Sequence, residues 1–138
     1  MEPARLKALT VAAFVAFEAD AAATPAMSLR AGNALDDGAQ PTPNDKQLDA
    51  PTDNYLEQYY WGLPHLDAAS WRNVLPFLLG YALRHLETPS NVVDALLNSL
   101  RPPDRTPPRL GSLSLEQEQI VSQVLGACRA FTPTAMWR

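Results

Sequence analysis

The placement of proline limits this 138-residue chain more than any other feature, because 13 prolines divide it into short segments. Proline has no backbone N–H and disrupts helix interiors and central strands. Between the prolines, apolar residues recur at spacings of three and four, and no useful stretch alternates with a period of two. The sequence therefore predicts an all-α fold, a compact bundle of about five helices that forms a single domain over residues 1–138.

The predicted helices begin and end at residues that commonly stand at helix ends. Their expected ranges are 3–18, 52–62, 68–86, 91–99 and 114–131. Expected N-caps are Thr52 or Asp53, Asp67, Ser90, and Ser114, with Gln117 completing a capping box. The third helix should be the most buried, and Pro76 should either kink it or divide it.

Residues 19–51 are predicted to form a long, acidic, irregular loop between helices one and two. Several prolines interrupt the segment, and its apolar residues Met27, Leu29, Leu35 and Leu48 fit neither a helix nor a strand. Long loops in compact domains are often functional. We therefore expect this loop to be mobile when free and ordered when a partner binds.

Acidic residues are concentrated in the first half of the chain. Residues 1–70 hold four basic and ten acidic residues, net −6, and residues 71–138 hold seven and five, net +2, which together give −4. Such a charge disfavours nucleic acid as a partner and suits a basic protein. The predicted partner-binding residues are Asp36, Asp37, Asp49, Asp53, Tyr55 and Glu57. Tyr55 is expected to be exposed, and Tyr59 and Trp71 to be buried.

Catalytic and cofactor motifs are not recognisable in the sequence. It has no phosphate-binding loop, no zinc-ligand spacing and no nucleophile elbow, so no cofactor or metal is predicted. Cys128 is the single cysteine, and we expect it to be buried and unreactive. One alternative is a small enzyme that uses His65, Asp67 and Arg72. Another is a structural or regulatory subunit that acts by oligomerisation.

Three arginines, Arg101, Arg105 and Arg109, recur every four residues in a proline-rich loop. Arginine at such spacing can bind an anion or an acidic partner. It can equally fix the loop to neighbouring carboxylates and helix ends. Both interpretations stay open at the level of sequence.

The N-terminal segment can be interpreted either as a packed helix of a cytoplasmic protein or as a signal peptide. Apolar residues 9–17 follow Arg5 and Lys7, which resembles a weak signal peptide, but Glu18 and Asp20 follow directly and the segment is amphipathic. No apolar run approaches the roughly 20 residues that a membrane span needs. We therefore predict a packed first helix and a cytoplasmic protein without membrane contact. A periplasmic location is the alternative if residues 1–23 act as a signal peptide.

Several sequence blocks between residues 55 and 125 resemble a family of small bacterial proteins catalogued only as a domain of unknown function. The blocks are Y-Y-W-G-L at 59–63, S-W-R-N-V-L-P at 70–76, Y-A-L-R-H at 81–85, L-R-P-P at 100–103, R-L at 109–110, L-S at 113–114 and E-Q at 116–117. The resemblance implies an all-helical domain and no established chemistry. Because small bacterial proteins of this kind are sometimes immunity partners of toxins, we expect a non-catalytic protein-binding module. Its most plausible role is that of an immunity protein or antitoxin that neutralises a basic toxin.

Overall fold

The structure is a computed structural model that describes residues 2–130, and within that range its regular elements are all helices. The seven α-helices are α1 Pro3–Ala16, α2 Glu18–Ala22, α3 Leu29–Asp36, α4 Asp53–Tyr59, α5 Ala68–Arg84, α6 Asn91–Ser99 and α7 Leu115–Arg129. Two short 3₁₀ helices lie at Tyr60–His65 and Leu110–Ser112. The all-α prediction is therefore confirmed for these residues, although the helices are more numerous and shorter than the five expected.

The N-caps predicted from sequence are confirmed. Thr52 Oγ1 accepts a hydrogen bond from Tyr55 N, and Asp67 Oδ2 accepts one from Ser70 N. Ser90 and Ser114 cap α6 and α7 in the same way, and Gln117 completes the capping box at α7. These caps satisfy backbone N–H groups that have no partner within the first helical turn.

The predicted long loop over residues 19–51 is only partly correct: residues 37–51 contain no helix or strand, but the segment also contains most of α2 and all of α3. Ser28 caps α3 by accepting a hydrogen bond from Ala31 N, and Leu29, Ala31 and Gly32 are buried. The sequence pattern concealed α3 because Gly32 is typical of a loop. In the structure Gly32 allows α3 to lie directly against the Tyr60–His65 helix.

Helix α5 lies at the centre of the core, as predicted. Trp71, Leu75 and Leu79 are completely buried. Pro76 neither divides the helix nor ends it, since α5 runs continuously from Ala68 to Arg84. Helices α1, α6 and α7 pack around α5, and buried side chains of α3, α4 and the Tyr60–His65 helix complete the core.

Four consecutive side chains of α5 form hydrogen bonds with other parts of the chain, and the last two of them both bind Asp20. Ser70 Oγ accepts from Met27 N (3.1 Å), Trp71 Nε1 donates to Ser99 Oγ (3.2 Å), Arg72 Nε donates to Asp20 Oδ1 (3.1 Å), and Asn73 Nδ2 donates to the carbonyls of Asp20 and Ala23 (2.8 Å each). The Asn73 amide thereby binds two carbonyls at the end of α2, of which that of Asp20 also accepts the Ala23 N–H.

The junction between α1 and α2 is also held by α7. Gln117 Nε2 donates to the Ala16 carbonyl at 3.0 Å and to Asp20 Oδ2 at 2.8 Å. Asp20 therefore receives hydrogen bonds from both α5 and α7. Over the residues that the structure describes, no helix is both long and apolar enough to cross a membrane.

Candidate binding cleft

The predicted partner-binding residues do not form one surface, because two of them lie in an internal network around Arg30. Asp49 accepts Arg30 Nε at 3.0 Å and Arg30 Nη2 at 3.1 Å, and Tyr55 Oη donates to Asp49 Oδ1 at 2.8 Å. The Asp49 side chain is only 5% exposed. The expectation that Tyr55 is exposed is wrong, since it is 7% exposed and its hydroxyl accepts the Arg30 backbone N–H.

The pKa values of these groups reflect the same network. Burial alone would raise the pKa of Asp49, but hydrogen bonds from Arg30, from Asp45 N and from Tyr55 outweigh it and lower the pKa overall. Burial and the neighbouring Asp49 carboxylate both raise the pKa of the Tyr55 hydroxyl. Asp49 is therefore a fixed anion that fastens the 37–52 segment to α3 and α4.

The other four predicted residues lie on two separate surfaces. On α4, Asp53 pairs with Arg84 and contacts His85 Nε2 at 3.4 Å, while Glu57 accepts the Tyr81 hydroxyl at 2.6 Å. At the end of α3, Asp36 lies 3.0 Å from His65 Nε2, and the exposed Asp37 makes a 3.4 Å contact with Asn33. Most of the acidic charge predicted to face a partner thus already has an intramolecular partner.

The three residues of the alternative enzyme hypothesis are not brought together. His65 contacts Asp36, Asp67 caps α5, and Arg72 binds Asp20. Across residues 2–130, no three His, Cys, Asp or Glu side chains are grouped so that they could hold a metal ion.

A cleft of about 540 Å³ lies between the Tyr60–His65 helix and α6, and we call it the Trp61 cleft. Its first wall consists of Tyr60, Trp61, Leu63 and Pro64, its second of Asn91, Asp94, Ala95, Asn98 and Ser99, and Arg105 and Arg109 complete the lining. Trp61 is 58% exposed, and its ring lies 5.0 Å from that of Tyr60. A cleft of this size is within the range of small-molecule and peptide sites.

Asp104 shapes the proline-rich loop that carries the two arginines. Its Oδ1 accepts the backbone N–H groups of Arg105, Arg109 and Leu110, and its Oδ2 accepts that of Gly111, all at 2.8–2.9 Å. These hydrogen bonds, that from Gly111 first, lower the pKa of Asp104 to about 2. The carboxylate thus folds the loop back on itself and directs both arginines toward the cleft.

The two arginines of the cleft differ in their surroundings. Arg105 is exposed and donates from Nη2 to the Pro64 carbonyl at 2.7 Å, which fixes the loop to the Tyr60–His65 helix. Arg109 is only 4% exposed, and its guanidinium carbon lies 4.9 Å from the centre of the Trp71 ring. Arg105 therefore fixes the proline-rich loop, which is one of the two interpretations of the arginine spacing. The burial of Arg109 requires a different explanation.

The guanidinium of Arg109 has few polar contacts. Nη2 donates to the Leu63 carbonyl at 3.4 Å, and Nε is buried without a hydrogen-bond partner in the described part of the chain. Burial, followed by the nearby charge of Arg105, lowers the pKa of Arg109 to about 10. Arg109 therefore remains a cation at neutral pH in a site that stabilises its charge poorly.

The sequence singled out Arg105 and Arg109 but not the cleft to which they belong. In the sequence, Trp61 was only one of several clustered aromatic residues. No sequence pattern indicated that residues of α6 would line a cleft. The three polar residues that α6 contributes are Asn91, Asp94 and Asn98, and they lie on its exposed side. The sequence pattern predicted only the apolar face of this helix. Only the packing of α6 beside the Tyr60–His65 helix brings these side chains opposite Trp61.

Comparison with known proteins gives a family but no activity. No curated protein matches the chain, and no solved structure matches it. A family model described as a family of unknown function matches residues 6–135. The match extends beyond the 55–125 region of the predicted resemblance and includes most of α1 and all of α2 and α3. The chain therefore belongs to the family of unknown function DUF6714.

Proposed function

We propose that this protein is a non-catalytic protein-binding module and that its binding surface is the Trp61 cleft. The carrying observation is that Trp61 is 58% exposed at the edge of a preformed cleft, although tryptophan is normally well buried. Exposed tryptophan beside a cavity is typical of the residues that dominate binding energy in protein interfaces.

The two walls of the cleft favour an extended segment of a protein partner. Tyr60 and Trp61 offer an aromatic surface to an apolar side chain. Across from them, Asn91, Asp94 and Asn98 are spaced so that they share one face of α6, where their polar groups can bind a peptide backbone. Two arginines against one aspartate leave the cleft with a net positive charge, which favours a partner segment that is acidic.

A narrower form of the proposal is that the protein is an immunity protein or antitoxin. A small protein that acts by occupying a partner needs a preformed binding surface and no chemistry of its own. In the version with a basic toxin, the exposed Asp36 and Asp37 at the end of α3 would make the contact. In the version based on the cleft, Trp61 would make it. A cytoplasmic location belongs to the proposal and is supported by the packing of Leu9 and Ala13 of α1 in the core.

Co-expression with the product of the neighbouring gene, followed by size-exclusion chromatography, tests the proposal. We expect a complex that Trp61→Ala abolishes. Val15→Ala is the matched control, because Val15 is also 58% exposed but lies on α1. The double variant Asp36→Asn/Asp37→Asn tests the version with a basic toxin. A complex that survives Trp61→Ala would show that the cleft is not the binding surface.

Growth of cells that express the neighbouring gene tests the antitoxin role itself. If that product arrests growth, co-expression of the wild-type protein should restore it and the Trp61→Ala variant should not. If the product binds the cleft but does not affect growth, the protein-binding function is supported and the antitoxin role is rejected.

A further inference from the structure

Arg109 is unusual among the arginines that the structure describes. A buried charge is normally paired with an opposite charge, because transfer from water to an apolar site is costly. The partly buried Arg30 and Arg72 follow this rule, and each pairs with an aspartate. Arg109 is only 4% exposed, yet among residues 2–130 no carboxylate forms an ion pair with it and its Nε has no hydrogen-bond partner.

The acidic side chains near Arg109 are already committed to other groups. Both oxygens of Asp104 accept backbone N–H groups of the proline-rich loop. The Asp67 carboxylate caps α5 through Ser70 N. Asp94 lines the cleft but forms no ion pair with either arginine of the cleft in the described part of the chain. Asp104 and Asp67 favour the charge of Arg109 at longer range, but among residues 2–130 no carboxylate forms an ion pair with it.

We propose that Arg109, with Arg105 beside it, forms a carboxylate-binding subsite at the floor of the Trp61 cleft. This inference rests on the proposed function, and it assigns the carboxylate to an aspartate or glutamate side chain of the partner segment. The ligand carboxylate would approach the guanidinium group of Arg109 from the cleft, which this residue lines, and accept hydrogen bonds from it.

The depth of each residue supports a side chain rather than a chain terminus as the source. Arg109 and Leu63 are buried at the floor, with exposures of 4% and 1%. Trp61, Asn91 and Asn98 are exposed at the rim. A backbone that lies across the rim can bind these residues while one side chain descends to Arg109. The two arginines and Asp94 carry a net charge of +1, which a single carboxylate neutralises.

Three short peptides test the proposal on the wild-type protein. The first has an acetylated N-terminus, an amidated C-terminus and the sequence Leu-Ala-Glu-Ala-Leu. The second replaces the glutamate with glutamine, and the third replaces it with alanine but has a free C-terminal carboxylate. Each is titrated into ¹⁵N-labelled protein while the Nε–H signals of Arg105 and Arg109 and the indole N–H of Trp61 are followed. Arg105→Lys and Arg109→Lys assign the arginine signals.

We expect the glutamate peptide to bind about tenfold tighter than the glutamine peptide and to shift the Arg109 Nε–H signal. Equal binding of the two capped peptides at Trp61, without a shift at Arg109, would overturn the carboxylate subsite and leave the docking function intact. A free C-terminal peptide that binds as tightly as the glutamate peptide would overturn the side-chain assignment. If no peptide shifts a cleft signal, the subsite is also rejected, whereas the docking function is judged separately by the effect of Trp61→Ala on the complex.

Arg105→Gln provides a second test that does not disturb the buried guanidinium. Arg105 is exposed, so this variant should fold like the wild type. We expect it to weaken the glutamate peptide severalfold and to leave the glutamine peptide unchanged. An equal loss for both peptides would show that Arg105 only holds the loop in place, as its bond to the Pro64 carbonyl would suggest.

Discussion

Gly32 of α3 and Gly62 of the Tyr60–His65 helix face each other with no side chain between their backbones. A Cβ atom placed on Gly32 would lie 2.5 Å from the Gly62 carbonyl oxygen, and one on Gly62 would lie closer still to Leu29 O and Asn33 N. Such an approach is open only to glycine. Because Gly62 directly follows Trp61, this contact also sets the position of the first wall of the Trp61 cleft.

Gly62→Ala should destabilise the protein by at least about 1–3 kcal/mol, the usual cost of overpacking, because the new methyl group meets backbone atoms that cannot rotate away. Urea denaturation gives the free energy of unfolding. Gly126→Ala is the control, since a Cβ there meets nothing within 4 Å in the exposed face of α7. That variant should gain about 0.5–1 kcal/mol from helix propensity. A neutral Gly62→Ala would contradict the close contact.

Asp49→Asn should cost about 1.5–3 kcal/mol, because it removes the charged acceptor of two Arg30 hydrogen bonds in a nearly buried site. Hydrogen exchange should become faster across residues 37–52, which this network holds to α3 and α4. Asp37→Asn is the matched control, as Asp37 is exposed and its one contact is long. It should stay within about 0.5 kcal/mol of the wild type. Equal effects of the two variants would show that the Arg30 network contributes nothing.

Acid should loosen the proline-rich loop through Asp104. The folded-state pKa of about 2 lies below the value of about 3.9 for an unfolded aspartate, so the contribution is complete above about pH 4 and is lost as the pH falls toward 2. The difference in unfolding free energy between wild type and Asp104→Asn should therefore shrink between pH 4 and pH 2. An NMR titration of the Asp104 carboxyl carbon checks the same point directly. A midpoint near 3.9 would contradict it.

Cys128 should react slowly with alkylating reagents in the folded protein. Burial raises the pKa of its thiol to about 11, so the reactive thiolate is scarce at pH 8. Because the chain has a single cysteine, the rate of reaction with iodoacetamide reports on this site alone. We expect the rate to rise by on the order of a hundredfold when urea unfolds the protein. A rate in the folded state that equals the unfolded rate would contradict the burial of Cys128.

Local signals in the sequence predicted the helix starts well, because a capping side chain and the N–H group that it binds lie within a few residues of each other. Helix α3 was missed because Gly32 looks like a loop residue until its neighbour Gly62, which lies 30 positions later in the sequence, is known. The function of Asp49 was misjudged for a similar reason. Its neutralising partner, Arg30, lies outside any window in which the two charges would be considered together.

The Trp61 cleft was still less accessible to sequence analysis. Its lining comes from three stretches of chain. Its distinctive property is a buried arginine that forms no ion pair with a carboxylate of residues 2–130, and this depends on the surroundings of Arg109 in the fold. A sequence pattern can show that arginines recur. It cannot show which of them is exposed like Arg105 and which is enclosed.

The double attachment of Asp20 has a consequence for the order in which a growing chain can reach its native state. Asp20 leaves the ribosome well before either of its partners, since Arg72 follows it by 52 residues and Gln117 by 97. The junction between α1 and α2 must therefore wait, with its carboxylate and carbonyl groups hydrated, while most of the protein is synthesised. Its native hydrogen bonds can be completed only when α7 emerges, which makes this early segment of the chain one of the last to be finished.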